Sequence, residues 1–172
     1  GTLYWQLNDC WPVVSWSSSD YYGKPKALEY FVKKAFNNIL ISFTYKNDSL
    51  ALYLASDLLK DQNAKLKVDI LNFYGETILT NSHDLIITAN SSEEIMTLYL
   101  TDLFKKFKRS EIFISAILKN DSFEIEAQKY FVRPKYLSLP KSTVEYKAVN
   151  KEEYFEITLK STNLSKNVYL FS

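Results

Sequence analysis

A chain of 172 residues with 21 Lys and Arg against 20 Asp and Glu has a net charge of +1, which gives it no electrostatic case for binding nucleic acid or an anionic membrane. The length allows one or two packed cores, the hydrophobic share of 47% is ordinary, and no apolar run approaches a bilayer span, so the chain is expected to be soluble. A single cysteine excludes an internal disulfide and a thiolate zinc cluster.

In the opening stretch Leu3, Trp5 and Leu7 fall at period two with Tyr4 and Gln6 between them, the spacing of a half-buried strand. The run breaks at Asn8-Asp9-Cys10-Trp11-Pro12, where Pro12 blocks further ladder pairing. A turn-rich segment follows, Ser15-Trp16-Ser17-Ser18-Ser19-Asp20-Tyr21-Tyr22-Gly23. From Pro25 the spacing predicts a helix through Phe36, with Leu28, Phe31, Val32, Ala35 and Phe36 on one face. Pro25 suits the first helical turn, where its missing N–H is not needed, and Lys33 and Lys34 suit the negative C-terminal end. Strand, polar and aromatic loop, then helix make one βα unit, which is a piece of a domain rather than a domain.

Beyond Phe36 the periodicity changes from helical to alternating. Strands are predicted over 39–46, 50–55, 64–74, 76–80, 84–89, 95–101, 111–119 and 123–132, with turns such as Asn47-Asp48 and Asn120-Asp121-Ser122 between them. Seven or eight strands at this spacing make an immunoglobulin-like β-sandwich over 38–134, closed by Arg133-Pro134. After Pro134 a second series, 143–149, 153–161 and 167–171, reads as three strands, too few to close another sandwich. The expected architecture is therefore mainly β, with 135–172 the incomplete start of a second immunoglobulin-like domain.

Residues with chemical potential mostly have plainer readings. Cys10 reads as a small residue packed at a strand end rather than a nucleophile, because the only histidine, His83, lies far off among strand-like residues. The basic run Lys105-Lys106-Phe107-Lys108-Arg109 reads as a solvated loop before a strand rather than an anion site. Tyr74, Tyr99, Tyr130 and Tyr136 read as strand packing rather than a sugar-stacking platform, which needs coplanar exposed rings. Four Asn-x-Ser sequons, at Asn47, Asn90, Asn120 and Asn163, fit a glycoprotein, but a chain so rich in Asn and Ser produces about two by chance and fixes no compartment.

The opening residues carry a resemblance. Leu3-Tyr4-Trp5-Gln6-Leu7-Asn8-Asp9-Cys10-Trp11-Pro12, with Ser15-Trp16-Ser17-Ser18, Asp20-Tyr21-Tyr22-Gly23 and Lys26-Ala27-Leu28-Glu29-Tyr30, closely resembles the end of the catalytic barrel in the β-mannosidases of glycoside hydrolase family 2. The motifs cover roughly the first fifth of the chain, and beyond Phe36 the likeness rests on the order of domains. The resemblance implies that residues 1–37 are the last strand, loop and helix of a (β/α)₈ barrel, followed by immunoglobulin-like domains, and that the rest of the barrel precedes Gly1. It also implies an oligosaccharide substrate, with no cofactor and no metal, and leaves the compartment open, a periplasmic, secreted or lysosomal setting each being compatible with the family.

For a retaining β-mannosidase two carboxyl groups about 5 Å apart flank the scissile bond. The resemblance places both on earlier barrel strands, so no catalytic residue is expected here, and neither Asp9 nor Asp20 stands where the family's glutamates do. What the last strand supplies is wall, because barrel sites open at the C-terminal strand ends. By resemblance Trp5 lies against the sugar's C–H face, Asn8 and Asp9 hydrogen-bond hydroxyls or brace the loop, and Trp11 lines the rim; the plainer alternative is that Trp5 and Trp11 fill the top of the barrel and Asp9 caps the loop. Pro25 stands where many members carry a tryptophan, so no contact is assigned to it. The other reading, from a different class, is a non-catalytic carbohydrate-binding or structural sandwich.

Overall fold

The computed structural model describes residues 3–170, so Gly1, Thr2 and the Phe171 of the expected last strand lie outside the described residues. The elements are α1 (Ala27–Ala35), β1 (Ile39–Lys46), β2 (Ser49–Ser56), β3 (Gln62–Asn72), β4 (Thr77–Ile87), β5 (Ser91–Tyr99), α2 (Thr101–Lys106), β6 (Ile112–Lys119), β7 (Glu124–Tyr130), a 3₁₀ turn (Pro134–Tyr136), β8 (Val144–Lys151) and β9 (Tyr154–Ser161).

The first seven strands form two sheets, a three-stranded one in the order β1-β2-β5 and a four-stranded one in the order β4-β3-β6-β7, with every pairing antiparallel. Alternation in the sequence decides which side faces in. On β2, Leu50, Leu52 and Leu54 are buried while the residues between them are half-exposed, and on β3 the buried set is Ala64, Leu66, Val68 and Ile70. Opposite stand Ile39 and Ile41 of β1 and Ile112, Ile114, Ala116 and Leu118 of β6, which complete one continuous apolar layer between the sheets. The result is an immunoglobulin-like sandwich.

The turns follow their side chains. Asn47 and Asp48 both take positive φ, +50° and +56°, in the two-residue link between β1 and β2, the conformation that suits the right-handed twist of a hairpin. Between β3 and β4 Gly75 has φ +85°, and the Asn72 Oδ1 accepts the N–H groups of Tyr74 and Glu76 at 2.9 and 3.0 Å.

Several expectations need correction. The strands foreseen at 76–80 and 84–89 are one strand, because Asn81, Ser82 and His83 pair with Val68, Lys67 and Leu66; a ladder uses backbone groups, and an edge strand tolerates polar side chains. That puts His83 in a strand, as expected. Part of the basic run belongs to the short helix α2, and three of its four charges are paired: Lys105 with Asp102, Lys108 with Glu111, and Arg109 with Asp48 at 2.8 Å while the Arg109 guanidinium lies over the Phe104 ring. Cys10 is exposed rather than packed.

The strand of the expected opening βα unit is not formed over the described residues. Leu3, Trp5 and Leu7 alternate correctly, but their backbone meets only the short stretch 17–19, and pairing ends in an isolated parallel bridge between Asn8 and Ser19. The helix does form, from Ala27 with Lys26 as its N-cap, yet it buries none of its residues, and Phe31 and Phe36 stay exposed.

After the sandwich β8 and β9 make a separate two-stranded sheet. The third strand expected from 167 is absent through Leu170, because that stretch engages other partners. Tyr169 donates its hydroxyl to the Pro25 carbonyl at 2.9 Å and meets Tyr30 edge-on, while the Leu164 N–H reaches the Phe73 carbonyl at 2.8 Å.

Candidate functional site

The loops at 4–9 and 15–26 lie side by side and are tied by backbone hydrogen bonds: Ser18 N to Gln6 O at 3.1 Å, Ser19 N to Leu7 O at 2.9 Å, Asp9 N to Ser19 O at 3.2 Å and Lys26 N to Ser18 O at 2.8 Å. Asp9 sits in their middle. Only 2% of its surface is accessible, which for a carboxylate requires full pairing. Its Oδ2 takes the Lys26 ammonium at 2.6 Å and its Oδ1 takes the Ser15 hydroxyl. Lys26 Nζ also donates to Ser17 Oγ at 2.8 Å and reaches the Ser15 carbonyl at 3.5 Å. Ser17 in turn donates to the Ser19 carbonyl at 2.7 Å, and Ser18 to that of Leu7 at 2.7 Å.

This polar knot has one electrostatic consequence. The hydrogen bond from Lys26, then that from Ser15, hold the Asp9 carboxyl below the usual value of 3.8, and they outweigh the opposing effect of burial. Asp9 is thus ionised, with both carboxylate oxygens hydrogen-bonded within the chain.

The other expected site residues face out. Trp5 is 75% exposed, Trp11 61%, and Asn8 is exposed beside them in sequence. The Asn8 amide nitrogen donates to the Asp9 carbonyl at 3.2 Å, which leaves its Oδ1 available, and Gln6 Nε2 holds the Asn8 carbonyl at 3.0 Å. The knot therefore fixes the backbone from which Trp5, Asn8 and Trp11 project. Lys26, Ser15 and Ser17 belong to the opening motifs, but nothing in a linear sequence marks a lysine as the partner of an aspartate seventeen residues earlier.

Among the described residues no group of His, Cys, Asp and Glu is arranged to hold a metal ion, and no helix is long and apolar enough to cross a membrane.

A family model described as Mannosidase Ig/CBM-like domain matches residues 48–136, the span from β2 through the 3₁₀ turn. The chain belongs to this family. The β-mannosidase of Bos taurus is 37% identical over 107 residues, covering 61% of this chain and 12% of that protein, and that of Rattus norvegicus is 32% identical over 127 residues, covering 71% and 14%. Among solved structures, the β-D-mannosidase of Dictyoglomus thermophilum superposes with a TM-score of 0.79 at 32% identity, over 92% of this chain and 20% of that one. The likeness to the C-terminal part of β-mannosidases that the opening motifs suggested thus holds for sequence and fold. The chain spans only a minor part of each relative, and within that part the matched domain is a sandwich of accessory type.

Proposed function

We propose that this chain is the C-terminal portion of a β-mannosidase, a retaining glycoside hydrolase that releases terminal β-D-mannose from oligosaccharides. In this reading residues 1–37 close the barrel, 38–134 form the accessory sandwich, and 135–172 begin a second immunoglobulin-like domain. The hairpin β8–β9 supports the last assignment: Val144, Tyr146, Ile157 and Leu159 share one face through the pairs Tyr146 with Leu159 and Ala148 with Ile157, and that face is bare. A two-stranded sheet with one apolar side is unstable by itself and is completed by further strands.

The observation that carries the reading is the Trp5–Trp11 loop, whose two indole rings are exposed and whose Asn8 Oδ1 has no partner among the described residues, while Asp9 and Lys26 brace its backbone. Trp5 offers a flat apolar face for the C–H side of a mannose ring, Asn8 Oδ1 accepts from a hydroxyl, and Trp11 lines the rim. Asp9 acts in the sugar site by holding this loop rather than by touching the sugar. The two carboxyl groups of the retaining reaction, one as acid and base and one as nucleophile, come from the barrel of the same polypeptide.

The runner-up is a sandwich that itself binds carbohydrate, and one depression on its four-stranded sheet does not favour it. The open depression over β3, β4 and the β6–β7 turn is lined by Asn63, Lys65, Asp84, Ile86, Lys119 and Asn120, among others, and by no aromatic residue that could stack on a sugar.

The deciding experiment assays the purified chain and the intact enzyme on an activated aryl β-mannoside. Turnover by the intact enzyme alone is expected. Hydrolysis by the 172-residue chain, abolished by a mutation within it, would overturn the assignment.

A further inference from the structure

Of the four sequons the structure separates two from two. Asn47-Asp48-Ser49 lies at the tip of the β1–β2 hairpin and Asn90-Ser91-Ser92 at the β4–β5 turn. Both asparagines are exposed, both take a left-handed backbone with φ of +50° and +48°, and neither side chain makes a hydrogen bond among the described residues. Asn120 is half-buried and fully engaged: its Oδ1 accepts from Ser122 and Phe123, and its Nδ2 donates to Gln62 Oε1 at 3.2 Å and to the Asn63 carbonyl at 3.3 Å. Asn163 is half-buried too. Its Nδ2 donates to the Lys141 carbonyl at 2.8 Å, and its sequon serine, Ser165, is held by Ser142 and Ser161.

We propose that Asn47 and Asn90 are N-glycosylation sites and that Asn120 and Asn163 are not. The co-substrate is an oligosaccharide linked through pyrophosphate to a polyisoprenoid lipid. The amide nitrogen attacks the anomeric carbon, a C–N bond forms, the C–O bond to pyrophosphate breaks, the lipid pyrophosphate leaves, and the amide gives one proton to a base of the transferase. The product nitrogen keeps a single hydrogen. At Asn47 and Asn90 that loss costs the fold nothing, because neither hydrogen is used and the glycan projects from a turn tip into solvent. At Asn120 one of two acceptors would lose its donor, and at Asn163 the single remaining hydrogen would have to stay on the Lys141 carbonyl while a glycan leaves a half-buried amide whose sequon serine is already held by Ser142 and Ser161. The register puts the two free sites at opposite ends of the three-stranded sheet, since Ser49 and Ser56 terminate β2 and Ser56 pairs with Ser91.

The test is expression of the chain behind a secretory leader in a eukaryotic cell. Glycopeptide mass spectrometry of the folded secreted protein would map each sequon, with and without peptide N-glycosidase, and be repeated on N47Q, N90Q, N120Q and N163Q. The expected result is a glycan at Asn47 and at Asn90, one lost in each of N47Q and N90Q and none lost in N120Q or N163Q. Because the wild-type map needs no variant to fold, the proposal stays open to refutation if a variant fails. An unmodified Asn47 or Asn90, or a glycan on Asn120 or Asn163 in folded protein, would overturn it.

Discussion

The Lys26 ammonium lies 2.6 Å from the Asp9 carboxylate and joins the start of helix α1 to the loop that carries Trp5 and Trp11. Asp9 is buried and Lys26 partly so, so loss of the lysine leaves the buried Asp9 carboxylate without its cationic partner. Replacing Lys26 by Met should therefore loosen this loop and leave the sandwich alone, which shares no part of the knot. The amides of Asp9, Ser18 and Ser19 should exchange with deuterium faster by roughly tenfold or more, while those of β3 and β6 keep their protection. Unchanged exchange at all three amides would mean that the ion pair does not hold the loop.

Acid should act on the same bond. Asp9 is held below 3.8 by Lys26 and Ser15. Asp69, on the outer side of β3, is pushed up by burial but held down more strongly by hydrogen bonds from Lys67 at 2.6 Å and Thr80 at 2.6 Å and by the Lys67 charge, with a net lowering. Both folded values lie below the unfolded one, so below about pH 4 the unfolded chain binds more protons and stability rises with pH. The stabilisation is complete well above 3.8 and disappears as pH falls through the lowered folded values. Urea midpoints from about pH 6 to about pH 2 should fall, and Asp69→Asn should flatten that fall. A variant curve parallel to the wild type would remove Asp69 from the acid response.

The seven sandwich strands were legible because alternation of apolar residues reports which side faces a core, and Leu50, Leu52 and Leu54 are as buried as their spacing implied. Alternation says nothing of pairing partners. Leu3, Trp5 and Leu7 carry the same signal as β2, yet no strand forms there, because only residues 17–19 run alongside. Helix α2 was hidden for another reason: with six residues it is too short for an apolar stripe, and its last turn carries the lysines that had marked a loop. At the site the exposed residues were foreseen from the motif. The bracing was not, since the Asp9–Lys26 pair depends on a fold-back between two loops that composition does not encode.

The centre of the sandwich should respond to truncation as a single packed layer does. Leu66 of β3 is fully buried, with Leu118 as its partner on β6, in the apolar layer that also holds the leucines of β2 in the facing sheet. Leu66→Ala should lower stability by about 2 to 5 kcal/mol in urea unfolding. A loss below about 1 kcal/mol would indicate a core loose enough to collapse around the missing methyls.

Trp5→Ala in the intact enzyme tests the central claim most directly. Trp5 is 75% exposed in this chain and contributes little to its packing, so in this chain the change should leave the urea midpoint in place, and a stacking role makes the same expectation for the intact enzyme. If Trp5 stacks on the terminal mannose, kcat/KM on an aryl β-mannoside should fall by about tenfold to a hundredfold, the equivalent of roughly 1 to 3 kcal/mol of transition-state binding. Lost activity at an unchanged midpoint is the predicted result. Full kcat/KM per folded molecule, with or without a drop in the midpoint, would contradict the assignment of this loop to the sugar site.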